Sequence, residues 1–239
     1  MLANATSPDG HIGALSKDVQ LPATFLTELL DLIQDELASW RDRADRKVET
    51  SETVLTSQLC AHMNSVTRRA PGWDILQFRT EEPDETVAGR KVDLVPAPAD
   101  ATIWVDGRKY VDFDPLLPIE CKRLPTPAQR DRDEREYVFS QHSTTGGIQR
   151  FKLGLHGAAH TIGGMIGYIQ QDTCPLWSGR VGEWIKQLVA GGEQGWSAND
   201  ALRLVQHDEE RKIASLDSVH SRKTGMSDIS LRHMWVQMN

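Results

Sequence analysis

Apolar residues recur at helical spacing early in the chain and in short, strand-like runs through its middle. Over residues 22–46, Phe25, Leu29, Leu32, Ile33, Leu37 and Trp40 fall on one face of a 3.6-residue period, and Pro22 suits a first helical turn. A second helix is predicted over 51–69, with Ser51 as its N-cap, Leu55, Leu59, Met63 and Val66 on its apolar stripe, and Pro71-Gly72 as its stop. Strands are predicted at 73–79, 91–95, 101–105, 108–113 and 116–124. Asp106-Gly107 between two of these is a strong two-residue hairpin signal. Beyond Pro127 the pattern predicts a helix at 148–155, a strand at 165–170, an amphipathic helix at 181–190 and a closing strand pair at 213–219 and 229–236. Residues 1–20 lack any period and are expected to be a flexible N-terminal arm. Helices on either side of a central cluster of strands predict one α/β domain over 21–239.

Composition narrows the class. At 239 residues and 39% hydrophobic the chain has enough apolar material for one core. A mean hydropathy of -0.45 leads us to expect a soluble protein. The most apolar run, 153–169, carries His156, His160 and several glycines and is too broken to span a bilayer. No basic segment followed by an apolar one opens the chain, so no secretory signal is expected. Cys60, Cys121 and Cys174 are odd in number and scattered, which argues against a disulfide framework and for a cytoplasmic location. The net charge of -7 argues against tight, unaided binding to nucleic acid. It leaves room for a local basic face built from Arg123, Arg130, Arg132, Arg150 and Lys152.

Chemistry concentrates in two strands. Side chains two apart share a strand face, so Glu120 and Lys122 project together while Cys121 points away. A carboxylate beside an ammonium joins a metal ligand to a water-orienting cation, and the Cys121 backbone carbonyl can add an oxygen. Two other tripeptides, Asp45-Arg46-Lys47 and Glu210-Arg211-Lys212, have the same spacing but lie in charged segments expected to be solvated helix. Only Glu120-Cys121-Lys122 follows an apolar run, Leu116-Leu117-Pro118-Ile119, where unpaired charges would be costly. A structural ion pair is the alternative for that strand. Asp93 sits inside a second apolar strand, where propensity disfavours an aspartate, and is either a ligand or a strand-edge residue bonded to neighbouring backbone. Pro83-Asp84 lies in an acidic loop, a poorer platform for a rigid ligand.

The segment from Gly89-Arg90-Lys91-Val92-Asp93-Leu94-Val95 to Leu117-Pro118-Ile119-Glu120-Cys121-Lys122-Arg123-Leu124 resembles the Asp strand and the Glu-x-Lys strand of PD-(D/E)XK nucleases. The resemblance covers roughly residues 50–170 and departs from the pattern in Val92, which replaces a proline, and in a long gap between the strands, attributed to the Asp106-Gly107 hairpin. It implies a restriction-endonuclease-like core: a central mixed β-sheet flanked by helices, here with an N-terminal helical extension. It also implies a metal-dependent nuclease, with Asp93, Glu120 and the Cys121 carbonyl holding Mg2+ (or Mn2+) and Lys122 activating water. Many members place a further Glu on the preceding helix; Glu52 is that ligand or a first-turn acid favoured by the helix dipole. Gln149 and Arg150 fall where such enzymes carry accessory polar residues and are substrate contacts or surface residues. DNA is favoured over RNA as the partner. A homodimer or partner protein is implied, and the family suggests bacterial restriction or anti-phage defence.

Two further readings stand beside it. The same fold can serve as a catalytically inactive binding module within a larger complex, which the acidic charge favours. His156 and His160, four apart, have a zinc-ligand spacing, but Gly157-Ala158-Ala159 between them supplies no catalytic Glu.

Overall fold

The predicted succession of helices and strands is present in a computed structural model, which describes residues 18–86, 88–128, 132–141, 143–223 and 225–239. In chain order the elements are β1 (Asp18–Leu21), α1 (Phe25–Arg41), α2 (Glu52–Thr67), β2 (Leu76–Pro83), β3 (Lys91–Pro98), β4 (Thr102–Val105), β5 (Arg108–Tyr110), β6 (Ile119–Leu124), α3 (Gly147–Lys152), β7 (Ile162–Ile169), α4 (Cys174–Ala190), β8 (Arg203–Asp208), β9 (Ile213–His220) and β10 (Ile229–Gln237), with a 3-10 turn at Ala198–Asp200. Seven strands form one mixed sheet in the order β2-β3-β6-β7-β10-β9-β8. The β6–β7 and β7–β10 pairs are parallel and the others antiparallel.

Both faces of the sheet centre are covered. Leu29 and Ile33 of α1, with Leu55 and Leu59 of α2, pack in one cluster with Cys121, Ile166, Tyr168 and Met234. Phe151 of α3, with Trp177, Val181 and Ile185 of α4, packs in a second cluster with Leu124, Met165, Ile169 and Trp235. Burial on both faces explains why β7 reads as a polar-free run rather than an alternating one. Period-2 geometry puts Glu120 and Lys122 on the Leu124 side of the sheet. Among the described residues no helix is long and apolar enough to cross a membrane.

The hairpin signal is realised: Asp106 and Gly107 both have positive φ, 50° and 76°, as a two-residue turn of this type requires. Its strands β4 and β5 form a separate three-stranded sheet with β1, which lies parallel to β4. Residues 18–21 are therefore strand rather than loose arm; Val19 and Leu21 are half-buried along the edge of β4. The rest of the predicted arm, 1–17, lies outside the described residues.

Other boundaries shift for local reasons. The first helix ends at Arg41, short of 46, and the second begins at Glu52 directly after extended Ser51. α4 starts at Cys174, seven residues before the apolar stripe predicts, with Pro175 in its first turn, where proline is tolerated. β8 was absent from the predicted elements because nearly all its residues are exposed at the sheet edge, so no apolar period marks it. Asp45-Arg46-Lys47 lies in the loop after α1, and Glu210-Arg211-Lys212 lies in the β8–β9 turn; neither is helix.

The second core contains a closed polar chain. Lys152 and His220 Nδ1 both bond Asp200 Oδ1, the latter at 2.6 Å. His220 Nε2 and His233 Nε2 each lie 2.7 Å from Ser218 Oγ, His233 Nδ1 lies 2.8 Å from the Tyr137 hydroxyl, and Trp235 Nε1 donates to that hydroxyl at 2.7 Å. Burial lowers the pKa of both histidines, so the imidazoles are neutral. One proton arrangement then satisfies every atom: each group donates toward Asp200, from Trp235 through Tyr137, His233, Ser218 and His220.

Burial alone would raise the Asp200 carboxyl, but the His220 and Lys152 hydrogen bonds outweigh it and hold it at about 2, below its usual 3.8. Its contribution to stability is thus full above pH 3.8 and lost as pH falls toward 2. Asp200→Ala strands a buried ammonium and an imidazole N–H, and is expected to cost about 3–5 kcal/mol at pH 7. Urea titrations of both proteins should show that gap narrowing at pH 3; an unchanged gap would contradict the ionic role.

Candidate active site

The site forms where two strands part. β3 and β6 pair at Leu94 and Ile119, and beyond that bridge side chains close the edge of β6. Asp93 Oδ2 accepts the Cys121 N–H at 2.8 Å, and Glu52 Oε2 accepts the Arg123 N–H at 2.9 Å. Glu52 opens α2, where the helix dipole favours an acid, so one residue serves the helix and the site together. The N–H and C=O of a strand residue point to the same side, so the Cys121 carbonyl faces this edge too.

Lys122 stands at the centre. Its Nζ lies 2.7 Å from Glu120 Oε1, 3.6 Å from Glu52 Oε1 and 3.9 Å from Asp93 Oδ2. Burial works against the ammonium, but Glu120, Asp93 and Glu52 together hold its pKa well above the ordinary lysine value. Lys122 is a fixed positive charge, suited to orienting water or balancing a phosphate rather than accepting a proton.

Glu120 is sealed, with 0% exposure. Its Oε1 is bonded by Lys122 and by Arg150 Nη1 of α3. Its Oε2 lies 2.9 Å from His156 Nδ1, but the pair is misaligned and neither atom completes a hydrogen bond. Burial would raise the Glu120 carboxyl; Lys122, His156 and Arg150 drive it well below the carboxylate range. Asp93 moves the other way. Burial first, then repulsion from Glu120 and more weakly from Glu52, raises it from 3.8 to about 7 against the pull of Lys122 and the Cys121 N–H. Three carboxylates share two fixed cations, Lys122 and Arg150.

Asp93 and Glu52 open onto a small cleft with Thr53, Thr56, Thr80 and Glu81, of about 30 Å³. That is about one water's share of liquid volume, enough for a small ion and not for a substrate. An oxygen-only donor set suits a hard cation such as magnesium, and the repulsion that raises Asp93 is what such a charge would relieve. The orphaned Glu120 Oε2 is a further oxygen without a formed partner. As the side chains stand, no three His, Cys, Asp or Glu residues among those described converge on one point. Glu120 would join Asp93 and Glu52 only by turning from Arg150 or His156.

The structure thus brings together Glu52, Asp93, Glu120, Lys122 and Arg150. Arg150 meets Glu120, and Gln149 accepts from Ser140 N and Gly146 N, bracing the loop before α3. His156 enters as a Glu120 neighbour, a role the sequence reading missed. Gly154 and Gly157 flank it with φ of 64° and 63°, and a Cβ on Gly157 would meet Pro118 Cγ at 2.6 Å. Glycines on both sides of a histidine were the available signal that this loop folds back. His160 bonds Glu85 at 2.6 Å instead, so the two histidines share no ligand position. Of the basic residues, Arg123 bonds Thr50 O, Arg132 bonds Glu136 and Lys152 bonds Asp200; Arg130 lies outside the described residues. No family model, curated protein or solved structure matches this chain.

Proposed function

We propose that this chain is a divalent-metal-dependent nuclease with a restriction-endonuclease-like core, acting on DNA in preference to RNA. The observation that carries the reading is Lys122, buried among three carboxylates from three separate elements, α2, β3 and β6, two of which open onto one ion-sized cleft. Such convergence is costly for folding and supplies the acids and the cation that metal-assisted phosphodiester hydrolysis can use. Asp93, Glu52 and the Cys121 carbonyl would hold Mg2+ or Mn2+, with Glu120 completing the set on turning from its present partners. A cation held there supplies positive charge for the phosphoryl oxygens and acidifies water. Lys122 orients the attacking water and balances charge on the phosphate. Arg150, released from Glu120, faces the same phosphate.

One observation favours a second reading, a catalytically inactive binding module: Glu120 already faces three cationic or basic side chains of the protein itself, Lys122, Arg150 and His156. A cleavage assay on single- and double-stranded DNA and RNA, with and without magnesium, separates the two. Magnesium-dependent cleavage is expected, and calorimetry should show magnesium binding that Asp93→Asn removes. Absence of both cleavage and Asp93-dependent binding would leave the inactive module.

A further inference from the structure

A cavity of about 430 Å³ lies against α3, lined from that helix by Gln149 and Lys152. Its size falls within the roughly 300–1,000 Å³ of small-molecule sites. Two aromatic side chains wall it: Phe139 and Trp196 stand edge to face, ring centroids 6.4 Å apart and planes at 83°. Lys152 lines it from α3, its Nζ 5.0 Å from the Trp196 ring centroid. Arg222 and Lys223, just past the end of β9, add two cations, and Glu193 is the one acid among the described lining residues.

These groups differ in freedom. Lys152 is anchored by Asp200, at the end of the buried polar chain, so the wall it forms is rigid. The Arg222 guanidinium is held by Ser227, Gly157 and His160 carbonyl oxygens, which fixes its charge in place. Lys223 pairs with no carboxylate among the described residues. The cavity thus combines an aromatic lining with a positive side on which one ammonium has no carboxylate partner among the described residues. A ring stacks on aromatic surface, and a phosphate seeks the cations.

We propose that this cavity binds a nucleotide unit, with its base against Trp196 and Phe139 and its phosphate toward Lys223 and Arg222. The inference rests on the nuclease reading of the Asp93–Glu52 cleft, and names a unit of the strand bound beside the cut. Gln149 and Lys152 line the cavity from the same short helix that places Arg150 on Glu120. A base seated here would therefore fix which phosphate lies at the cleft, and the same chemistry admits a free nucleotide.

The test is calorimetric titration of Asp93→Asn protein, which spares the strand, with a short single-stranded oligonucleotide, 5′-dAMP, deoxyadenosine and inorganic phosphate. The oligonucleotide or 5′-dAMP should bind at least tenfold tighter than deoxyadenosine or phosphate. Trp196→Ala should weaken that binding about tenfold or more, and Lys223→Glu severalfold. Trp196→Phe, which keeps a ring, should retain most of it. Dependence on these residues with the oligonucleotide alone identifies a strand unit; equal dependence with 5′-dAMP identifies a free nucleotide. Phosphate binding as tightly as 5′-dAMP, or indifference to both substitutions, would overturn the proposal. Residue-dependent binding without any cleavage by the native chain would keep this site and remove the nuclease reading. Cleavage with a KM unmoved by Trp196→Ala and Lys223→Glu would do the reverse.

Discussion

Asp93→Asn is expected to abolish magnesium-dependent cleavage while making the metal-free protein more stable at pH 8. Activity should fall on the order of 10³-fold, the scale of losing a group that organises charge at the reacting centre. Stability should rise because the native carboxyl is held at a cost. Unfolded, Asp93 titrates near 3.8; folded, burial and then repulsion from Glu120 raise it to about 7. Below pH 3.8 the group is protonated in both states and carries no penalty. As pH climbs from 3.8 to 7 the unfolded chain ionises first, so unfolding gains, and above 7 the penalty is complete. A carboxyl so displaced carries on the order of 4 kcal/mol. The Asp93 side chain keeps 29% exposure and solvent screens part of that penalty, so a gain of about 2 kcal/mol is expected. Asparagine still offers an oxygen to the Cys121 N–H. Urea denaturation at pH 5 and pH 8 checks this: the advantage of the variant should grow with pH, and a variant less stable at pH 8 would show that Asp93 is a structural acceptor alone.

That opposition between function and stability was partly legible in the sequence. Glu120 and Lys122 stood out because charges in an apolar strand demand partners, and both partners are there. Asp93 stood out as an acid in a strand, and its bond to the Cys121 N–H is also the strand-edge arrangement weighed against ligation. The alternating and helical periods placed α1, α2, β3, β6, β9 and β10 because each presents an apolar face to a core. β8 carries no such face and left no trace. The partners of Glu120 were harder to find, since His156 and Arg150 reach it from segments thirty or more positions away. No periodicity encodes a contact between a loop and a strand. The fate of the basic residues was equally hidden: composition counts charges, while packing decides that Lys152 serves Asp200 and Arg132 serves Glu136.

Lys122→Met should have a large effect on the fold. Methionine fills similar volume, so the loss is electrostatic rather than a cavity. Glu120, with no exposure, would keep only Arg150 and the misaligned His156, while Glu52 and Asp93 would face it with no charge between them. Removing one partner from a buried ionic cluster costs about 3–5 kcal/mol. The loss should be greatest at high pH, where all three carboxylates are ionised, and smallest at low pH, where protonation removes the repulsion. A surface-like role for Lys122 predicts no such pH dependence. Adding Glu52→Gln to Lys122→Met separates the causes: the amide keeps an acceptor for the Arg123 N–H and removes one of the repelling charges. If the lysine acts by holding three acids together, the double variant is more stable than Lys122→Met alone, by about 1 kcal/mol. If it acts only through packing, the second substitution leaves stability unchanged or lowers it. On the proposed reading cleavage should stay lost either way, because the double variant still lacks Lys122 and also gives up Glu52 as a proposed ligand.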